Sequence, residues 1–449
     1  MGRGRTASLR ATGASVVAML AVILGLTLLV SAGPASAKSA PKTPKGVEVT
    51  AAAEKSLELA FKTSSRGKGY VEVKVKPGGK TTRVRGAAKQ ALVKKLKPGV
   101  RYGLQVRSCK SAKACSRYSK KVSGTTIPAA RPLFGYNEQL RQGGDGNELL
   151  TGSGADFVRI PISWANIQPT GPLTYNWAPI DAIHDELAAQ GLKPLWVLSS
   201  APCWAQLNPL SCKASDTAQA PNQLFYGSYA NMVVQLGKRY PDSTGIQVWN
   251  EPNIPKFWLP TPSTSAYKAL LKQTLSAVAA NDVKVPIVFG APSPVDAADA
   301  KADPRKIPTT TFLSGGLTGG MAGLDAVALH PYSFNQAGDQ VDTSIALFDQ
   351  ANAVLKKTVP NLPVWVTEVG FTTAGKFRVS EQEQADALID VYLALAQRGV
   401  DVITVHRFFD EADPLYIFDA GMGVVAADHT TPKPSYCALA LIRGEKEPC

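Results

Sequence analysis

The chain has 449 residues, more than the roughly 100–200 residues of one ordinary domain, so more than one folded part is expected. Its net charge of +14 is unevenly distributed, because residues 38–130 hold 23 Lys/Arg and 4 Asp/Glu, whereas residues 131–449 hold 23 and 31. This asymmetry excludes a uniformly basic chain and predicts two parts of opposite charge.

The N-terminus has the pattern of an export signal. Arg3, Arg5 and Arg10 precede the apolar run at 16–30, and "ASA" at 35–37 follows it. A basic segment, a short apolar segment and an A-x-A site predict a signal peptide over 1–37 and a secreted, extracellular protein. A membrane anchor is the alternative, but the run is shorter than the roughly 20 residues that a spanning helix needs. A Pro/Lys linker follows over 38–45.

Residues 46–127 alternate apolar and polar residues in short runs, including "SLELAFK", "YVEVKVK" and "RYGLQVRSC". Period-two runs separated by Gly, Pro or Ser predict an antiparallel β-sandwich. In "LKPGVRYGLQVRS", Leu96, Pro98, Gly99 and Tyr102 are spaced as at a tyrosine corner. On these residues the segment resembles a fibronectin type III domain, although Phe61 stands where that family usually has tryptophan.

The basic character of this segment has two interpretations. Lysines on the outer face of a sandwich discourage edge-to-edge association. The alternative is attraction to an anionic partner, such as a cell-wall polymer or an acidic polysaccharide. No stacking platform for nucleic-acid bases is visible, so nucleic acid is not a predicted partner.

The six cysteines fall in close pairs, which favours local disulfides in an exported protein. Spacing alone leaves 15 connectivities open, and nearest-neighbour pairing is the simplest of them. The pairs would be Cys109/Cys115, Cys203/Cys212 and Cys437/Cys449.

From residue 131 to 449 the pattern changes to buried strands that alternate with amphipathic helices such as "YANMVVQLGKRY" and "QEQADALIDVYLALAQRG". Eight strand–helix repeats predict a (β/α)₈ TIM barrel, an α/β fold. The strands are "PLFGYNE", "ADFVRIPIS", "KPLWVLSS", "GIQVWNEPN", "PIVFGAPS", "LDAVALHPYS", "PVWVTEVGF" and "VDVITVHRFFD".

Polar and aromatic residues collect at the C-terminal ends of these strands, where such barrels place their active sites. Glu251 ends the fourth strand and Glu368 ends the seventh. Two carboxylates that face each other suit cleavage of a glycosidic bond, in which one protonates the leaving oxygen and the other attacks the anomeric carbon.

The "WNEPN" and "TEVGF" motifs on this pattern resemble clan A glycoside hydrolases, chiefly families 5 and 39. The resemblance implies a retaining glycosidase with Glu251 as general acid/base and Glu368 as nucleophile. It also implies that Asn250 contacts the sugar 2-hydroxyl and that Arg159 and Tyr332 keep Glu368 ionised, with His330 beside them.

Two features depart from that family pattern. The eighth strand usually ends in tryptophan, and here His406, Phe408 or Phe409 takes that place. The loop after the third strand offers Trp204 rather than histidine. Trp204 and Trp258 are candidates for stacking on sugar rings, with core packing as the alternative.

No cofactor or metal is predicted. The four histidines show no H-x-x-x-H or H-x-H spacing, and no Gly-rich phosphate loop follows the first strand. We therefore expect a monomeric, secreted glycosidase that acts on a β-linked poly- or oligosaccharide. Transglycosylation by the same site, and a non-catalytic carbohydrate-binding scaffold, are the alternatives.

Overall fold

The structure is a computed structural model that describes residues 41–63, 69–86, 88–138, 140, 146–207, 209, 212, 218–319, 321–333, 339–411 and 419–449. The predicted signal peptide, residues 1–37, lies outside the described residues, as do linker residues 38–40. Residues Pro41 to Cys449 form one compact unit. Within the described ranges, no helix has the length and apolar character that a membrane crossing requires.

The N-terminal part consists of two antiparallel sheets. One has the order β1-β2-β5, and the other has the order β4-β3-β6, with β7 and β8 both paired to β6. The strands are β1 (Lys45–Ala53), β2 (Ser56–Lys62), β3 (Tyr70–Lys76), β4 (Thr81–Arg85), β5 (Gln90–Lys94), β6 (Arg101–Ser111), β7 (Ala114–Cys115) and β8 (Val122–Thr125).

Alternate side chains of these strands form a shared core, as the period-two pattern predicts. Leu59, Val73 and Val106 are fully buried, and Phe61 is 3% exposed. The Tyr102 hydroxyl accepts a hydrogen bond from the Lys97 N–H at 2.9 Å. The N-terminal β domain is thus confirmed.

The second part is a closed barrel of eight parallel strands, and all eight predicted strands are confirmed. Both faces of each strand are covered, which is why the strands are near-continuous apolar runs. In chain order the strands are β9 (Leu133–Asn137), β10 (Phe157–Ser163), β11 (Lys193–Ser199), β12 (Gly245–Val248), β13 (Ile287–Phe289), β14 (Ala326–Leu329), β15 (Val364–Val369) and β16 (Val402–His406).

Helices follow the barrel strands along the chain. In the described residues, the first strand–helix repeat departs from the prediction, because β9 is followed by a 3₁₀ helix, Asn147–Ser153, rather than an α-helix. The α-helices are α1 (Trp164–Ile167), α2 (Ala178–Ala189), α3 (Tyr226–Arg239), α4 (Thr264–Ala280), α5 (Ala297–Ala302), α6 (Thr309–Leu317), α7 (Gln340–Thr358), α8 (Glu381–Gln397) and α9 (Pro434–Arg443).

The three nearest-neighbour disulfides are present. Cys109–Cys115 joins β6 to β7, Cys203–Cys212 closes part of the loop after β11, and Cys437–Cys449 ties α9 to the C-terminus. The loops are short, with separations of 6, 9 and 12 residues. Loop-closure entropy for such lengths corresponds to about 2–3 kcal/mol of stabilisation each.

The antiparallel sheets pack on the barrel. The Arg101 guanidinium at the start of β6 forms ion pairs with Asp386 and Asp390 on α8. At the C-terminus, the Glu447 N–H donates to the Thr50 carbonyl of β1 at 2.9 Å. These contacts link the basic N-terminal part to the more acidic barrel.

Candidate active site

The C-terminal ends of the barrel strands bring together most of the predicted site residues. Because all eight strands are parallel, side chains at their ends converge at one mouth. Seven predicted residues lie within one connected set of contacts, namely Arg159, Asn250, Glu251, His330, Tyr332, Glu368 and His406.

The turn after β12 presents Glu251 in an uncommon backbone conformation. Trp249 has φ 70° and Glu251 has φ 43°, both in the left-handed region that non-glycine residues seldom occupy. The turn is held by hydrogen bonds from the Trp249 indole to the Phe257 carbonyl (2.7 Å) and from the Glu251 N–H to the Ala291 carbonyl (3.0 Å). Strained residues that a surrounding network holds in place are typical of functional sites.

Glu368 is held by charge and hydrogen bonding. Arg159 Nη1 donates to Glu368 Oε1 at 2.6 Å, and the Tyr332 hydroxyl donates to Oε2 at 2.8 Å. Burial raises the pKa of Glu368, but the charges of His330 and Arg159 and the Tyr332 hydrogen bond outweigh it and hold that pKa far below its ordinary value. Since an arginine stays charged at any working pH, Arg159 is the permanent part of this effect.

Glu251 has a different partner. Its Oε1 lies 3.0 Å from His330 Nδ1, and the other ring nitrogen lies 3.1 Å from the Thr367 hydroxyl. His330 is fully buried at its side chain and Glu251 is 10% exposed. The partner of Glu251 is therefore an imidazole, whereas that of Glu368 is a guanidinium.

The two carboxylates face each other closely. One oxygen of Glu251, one oxygen of Glu368 and a ring nitrogen of His330 all lie within 4.8 Å of one another. Retaining glycosidases have carboxyl groups roughly 5–5.5 Å apart, whereas inverting enzymes leave roughly 6.5–9.5 Å for a water. The separation here is that of a retaining site.

The same three groups could in principle ligate a cation. The Glu368 carboxylate, however, already receives the Arg159 guanidinium at 2.6 Å and the Tyr332 hydroxyl. A metal ion on this carboxylate would have to displace or repel that guanidinium. The donor set therefore fits a carboxylate pair better than a metal centre.

Asn137, at the end of β9, is a site residue that sequence reasoning missed. Its side-chain oxygen accepts from Arg159 Nη1 at 2.7 Å, and its amide nitrogen lies 2.7 Å from His406 Nδ1. Because the arginine can only donate, the amide orientation is fixed, and Nδ1 of His406 must be the acceptor. The remaining proton of a neutral His406 is then on Nε2.

His406 is the residue at the end of the eighth strand, β16, that lies at the site in place of the usual tryptophan. It ends β16 with its side chain 17% exposed, and its Nδ1 lies 3.8 Å from Glu368 Oε2. Phe408 is fully buried and packs on Tyr136, while Phe409 is 6% exposed and stacks on His429. Of the three candidates for the place of the usual tryptophan, only His406 reaches the site.

The two predicted sugar-stacking tryptophans lie in different surroundings. Trp258 is 2% exposed and packs between Trp249 and Tyr267, so it is a packing residue of the loop and has no ring face to offer a sugar. Trp204 is half-buried, with its indole N–H donating to the Gln168 carbonyl at 2.7 Å. It remains a candidate contact.

A second ion-pair cluster lies beside the site on the β16 loop. Arg407 donates to Glu138 at 2.8 Å and pairs with Glu411 at 2.7 Å. Glu138 also accepts from the Phe409 N–H at 3.0 Å. Glu138, a third carboxylate at a strand end, thus supports the loop that follows His406.

The comparisons with known families settle the class of protein. The family model described as "Glycosyl hydrolases family 39" matches residues 104–446. The chain belongs to glycosyl hydrolases family 39. The match begins inside β6 and runs through the whole barrel. The predicted relation to clan A glycoside hydrolases is confirmed, and the protein is a glycosidase of the retaining type.

Solved structures share this fold at low sequence identity. A family 39 glycoside hydrolase from Bacteroides cellulosilyticus WH2 has a TM-score of 0.53 and 18% identity, over 88% of this chain and 82% of that one. A family 5, subfamily 18 enzyme from Bifidobacterium longum subsp. infantis has a TM-score of 0.53 and 18% identity, over 70% and 78%. No protein of curated function matches the chain in sequence.

Proposed function

We propose that the protein cleaves a β-linked poly- or oligosaccharide by double displacement, with Glu368 as nucleophile and Glu251 as general acid/base. The observation that carries this proposal is the pair of carboxylates within 4.8 Å of each other, of which, among the described residues, only Glu368 contacts an arginine.

In the first step, Glu251 gives its proton to the glycosidic oxygen while a Glu368 oxygen attacks the anomeric carbon. The carbon–oxygen bond to the leaving group breaks, and a covalent glycosyl ester on Glu368 forms. Arg159 and Tyr332 keep the nucleophile ionised before the attack. Their hydrogen bonds also fix the orientation of the carboxylate.

In the second step, the Glu251 carboxylate takes a proton from water, and the water oxygen attacks the anomeric carbon. The ester bond breaks, Glu368 regains its charge and the product keeps its configuration. His330 contacts Glu251 at 3.0 Å and approaches Glu368 Oε1 at 3.7 Å, so one imidazole lies close to both carboxylates.

Asn250 precedes the acid/base and has a fixed orientation. Its side-chain oxygen accepts from Arg159 Nη2 at 2.8 Å. The amide nitrogen is therefore the group available to a substrate, which fits a contact with the sugar 2-hydroxyl. Trp204 and His406, both partly exposed, are the proposed contacts farther out.

The N-terminal sheets are proposed to be a fibronectin type III-like accessory domain over 46–127, joined to a catalytic domain over 131–449. The hydrogen bond from Lys97 to Tyr102 and the arrangement of two antiparallel sheets, one of three strands and one of five, support it. Export by a signal peptide over 1–37 is proposed on the sequence pattern, and three disulfides suit an oxidising compartment. The basic charge favours an anionic wall polymer or polysaccharide as a partner of this domain.

The test is reducing-end release from a panel of β-glucans, xylans, mannans and bacterial polysaccharides. Glu368→Gln and Glu251→Gln should each reduce release by several orders of magnitude while the protein stays folded. Glu148→Gln, an exposed change outside the site, is the control. Wild-type rates in either site variant would refute the assignment. Saturable binding without release by the parent protein would favour the scaffold alternative.

Azide rescue of alanine variants separates the two roles. With an activated aryl glycoside, Glu368→Ala plus azide should give a glycosyl azide of inverted configuration, because azide replaces the nucleophile. Glu251→Ala plus azide should give the retained configuration, because azide then attacks the glycosyl-enzyme. The opposite pattern would exchange the roles. Sugar acceptors in the same assay would reveal transglycosylation.

A further inference from the structure

The outer face of the sheet β4-β3-β6 carries an ordered cluster around one buried acid. Glu72, at the centre of β3, is 2% exposed although it lies on the outward side of the strand. Its cross-strand neighbours are Arg83 on β4 and Arg107 on β6. We name this set the arginine face, and its residues are Tyr70, Glu72, Lys74, Lys76, Arg83, Arg85, Arg107 and Tyr118.

Glu72 fixes both arginines. Arg83 Nε donates to Glu72 Oε2 at 3.1 Å, and Arg107 Nε donates to Oε1 at 2.7 Å. The Tyr118 hydroxyl donates to the same carboxylate at 2.8 Å. Burial raises the pKa of Glu72, but the three hydrogen bonds lower it by more, so the net pKa is below its ordinary value and the carboxylate stays charged. A buried carboxylate with this many partners holds its neighbours in one geometry.

Aromatic rings lie against the same guanidinium groups. The Arg83 guanidinium carbon lies 5.2 Å from the Tyr70 ring centroid, and that of Arg107 lies 4.6 Å from the Tyr118 ring. The Lys74 ammonium lies 5.5 Å from the Tyr118 ring. Each arginine is therefore held at two points, which reduces the entropy lost when it binds a ligand.

Of the two arginines that contact Glu72, Arg83 has the more exposed guanidinium, because Arg107 also places Nη2 2.5 Å from Glu72 Oε1. Arg83 contacts Glu72 through its Nε, and its side chain is 61% exposed. Terminal guanidinium nitrogens bind a carboxylate in a bidentate manner. Arg85 stands two residues along the same strand, about 7 Å away at the usual rise of a strand.

The other sheet has no comparable surplus of charge. The outward positions of β1, β2 and β5 include Glu48 and Glu58 as well as Lys45, Lys62 and Lys94. On the arginine face, five cations accompany the single Glu72. The difference shows that one face of the N-terminal part carries its cations in a defined arrangement around a single acid.

We infer that the arginine face binds an acidic polysaccharide through the carboxylates of its uronic acid residues. The exposed guanidinium groups of Arg83 and Arg85 fit successive carboxylates, and a polymer held there would lie on the same compact unit as a glycosidase barrel. The start of β6 is tied to the barrel through Arg101, Asp386 and Asp390. This inference rests on the anionic partner proposed above.

The test measures equilibrium binding of the full chain to polygalacturonate at low ionic strength, in a Glu368→Gln background so that hydrolysis cannot intervene. Arg83→Gln/Arg85→Gln should weaken binding by about 5–30-fold, the value expected for two exposed charge contacts. The matched control, Lys62→Gln/Lys94→Gln, removes the same charge from the other sheet and should change binding by less than about 2-fold. A neutral glucan should not bind at this face.

A second variant guards against a folding defect. Lys74→Gln/Arg85→Gln leaves the hydrogen bonds from Arg83, Arg107 and Tyr118 to Glu72 intact. It should also weaken binding. Equal losses in the face and control variants would mean general charge attraction and would overturn the arginine face while leaving an anionic partner. No binding by the parent protein would overturn both. Tighter binding to anionic phospholipid vesicles than to polygalacturonate would assign the face to membranes instead.

Discussion

The two glutamates at the barrel mouth differ in the kind of partner that each one has. Glu368 accepts from Arg159 at 2.6 Å and from Tyr332 at 2.8 Å. Glu251 lies 3.0 Å from a ring nitrogen of His330. An arginine keeps its proton at any working pH, so Arg159 is a permanent cation beside Glu368. In the part of the chain that the structure describes, Glu251 contacts no arginine or lysine, so only Glu368 is held charged in this way.

This difference explains how two identical side chains can have opposite roles. A nucleophile must be charged before the substrate is attacked, and a general acid must hold a proton near the working pH. Both glutamates are nearly buried, at 10% and 12% side-chain exposure, so burial does not distinguish them. The distinction comes from Arg159, Tyr332 and His330.

Removal of Arg159 should have the largest effect, because it takes away the charge that distinguishes Glu368 from Glu251. Arg159→Met leaves Glu368 buried without its permanent cation, and the loss of one partner of such a pair costs about 3–5 kcal/mol. We expect kcat/KM to fall by about two to three orders of magnitude. The pKa of Glu368 should rise, so the acidic limb of the pH profile should move to higher pH.

A double variant checks the cause. If Arg159 acts through Glu368, Arg159→Met in a Glu368→Gln background should lower the residual rate little further. Additive losses would mean that Arg159 has a separate role, and an unshifted acidic limb in the single variant would contradict the electrostatic argument. Thermal unfolding of each variant shows whether the fold is retained.

Much of this site could be predicted because its residues follow strands with short motifs. Glu251 follows β12 inside "WNEPN", and Glu368 lies within β15 in "TEVGF". The barrel then determines that both face one mouth. In contrast, Asn137 has no motif around it, and its role depends on partners 22 and 269 residues away. Only closure of the barrel between β9 and β16 brings it to His406.

The direction in which a side chain points also could not be predicted from the sequence. Trp258 belongs to an aromatic loop near the mouth, but whether its ring faces substrate or core depends on tertiary packing against Trp249 and Tyr267. The charge of the N-terminal part was plain from the sequence. The grouping of five of its cations on one face around Glu72 depends on which residues of β3, β4 and β6 share a face and a register.

Tyr332→Phe should reduce kcat/KM by less than Arg159→Met does, because it removes only a hydrogen bond to Glu368. It removes one hydrogen bond to a charged group, worth about 1.5–3 kcal/mol, without a change in side-chain volume. We expect kcat/KM to fall about 10–100-fold, with the acidic limb moved in the same direction as in Arg159→Met. A loss confined to KM would instead make Tyr332 a substrate contact with no effect on Glu368.

Asn137 offers the smallest and most specific test. Asn137→Ala removes the hydrogen bond that Asn137 accepts from Arg159 and the one that it donates to His406 Nδ1. We expect a loss of about 3–10-fold in kcat/KM, because the Arg159–Glu368 contact stays in place. A loss as large as that of Arg159→Met would mean that Asn137 itself contacts the substrate.

Asn137→Asp tests whether the Asn137 amide orients Arg159 and His406 or only fills the space between them. The new carboxylate would compete with Glu368 for Arg159 and would place a like charge nearby, so the pKa of Glu368 should rise. It would also accept a hydrogen bond from an Nδ1–H of His406, which reverses the tautomer that the amide selects. The aspartate variant should therefore be less active than the alanine variant and should recover at higher pH. If the aspartate variant is the more active of the two, the amide neither fixes the His406 tautomer nor protects the charge on Glu368.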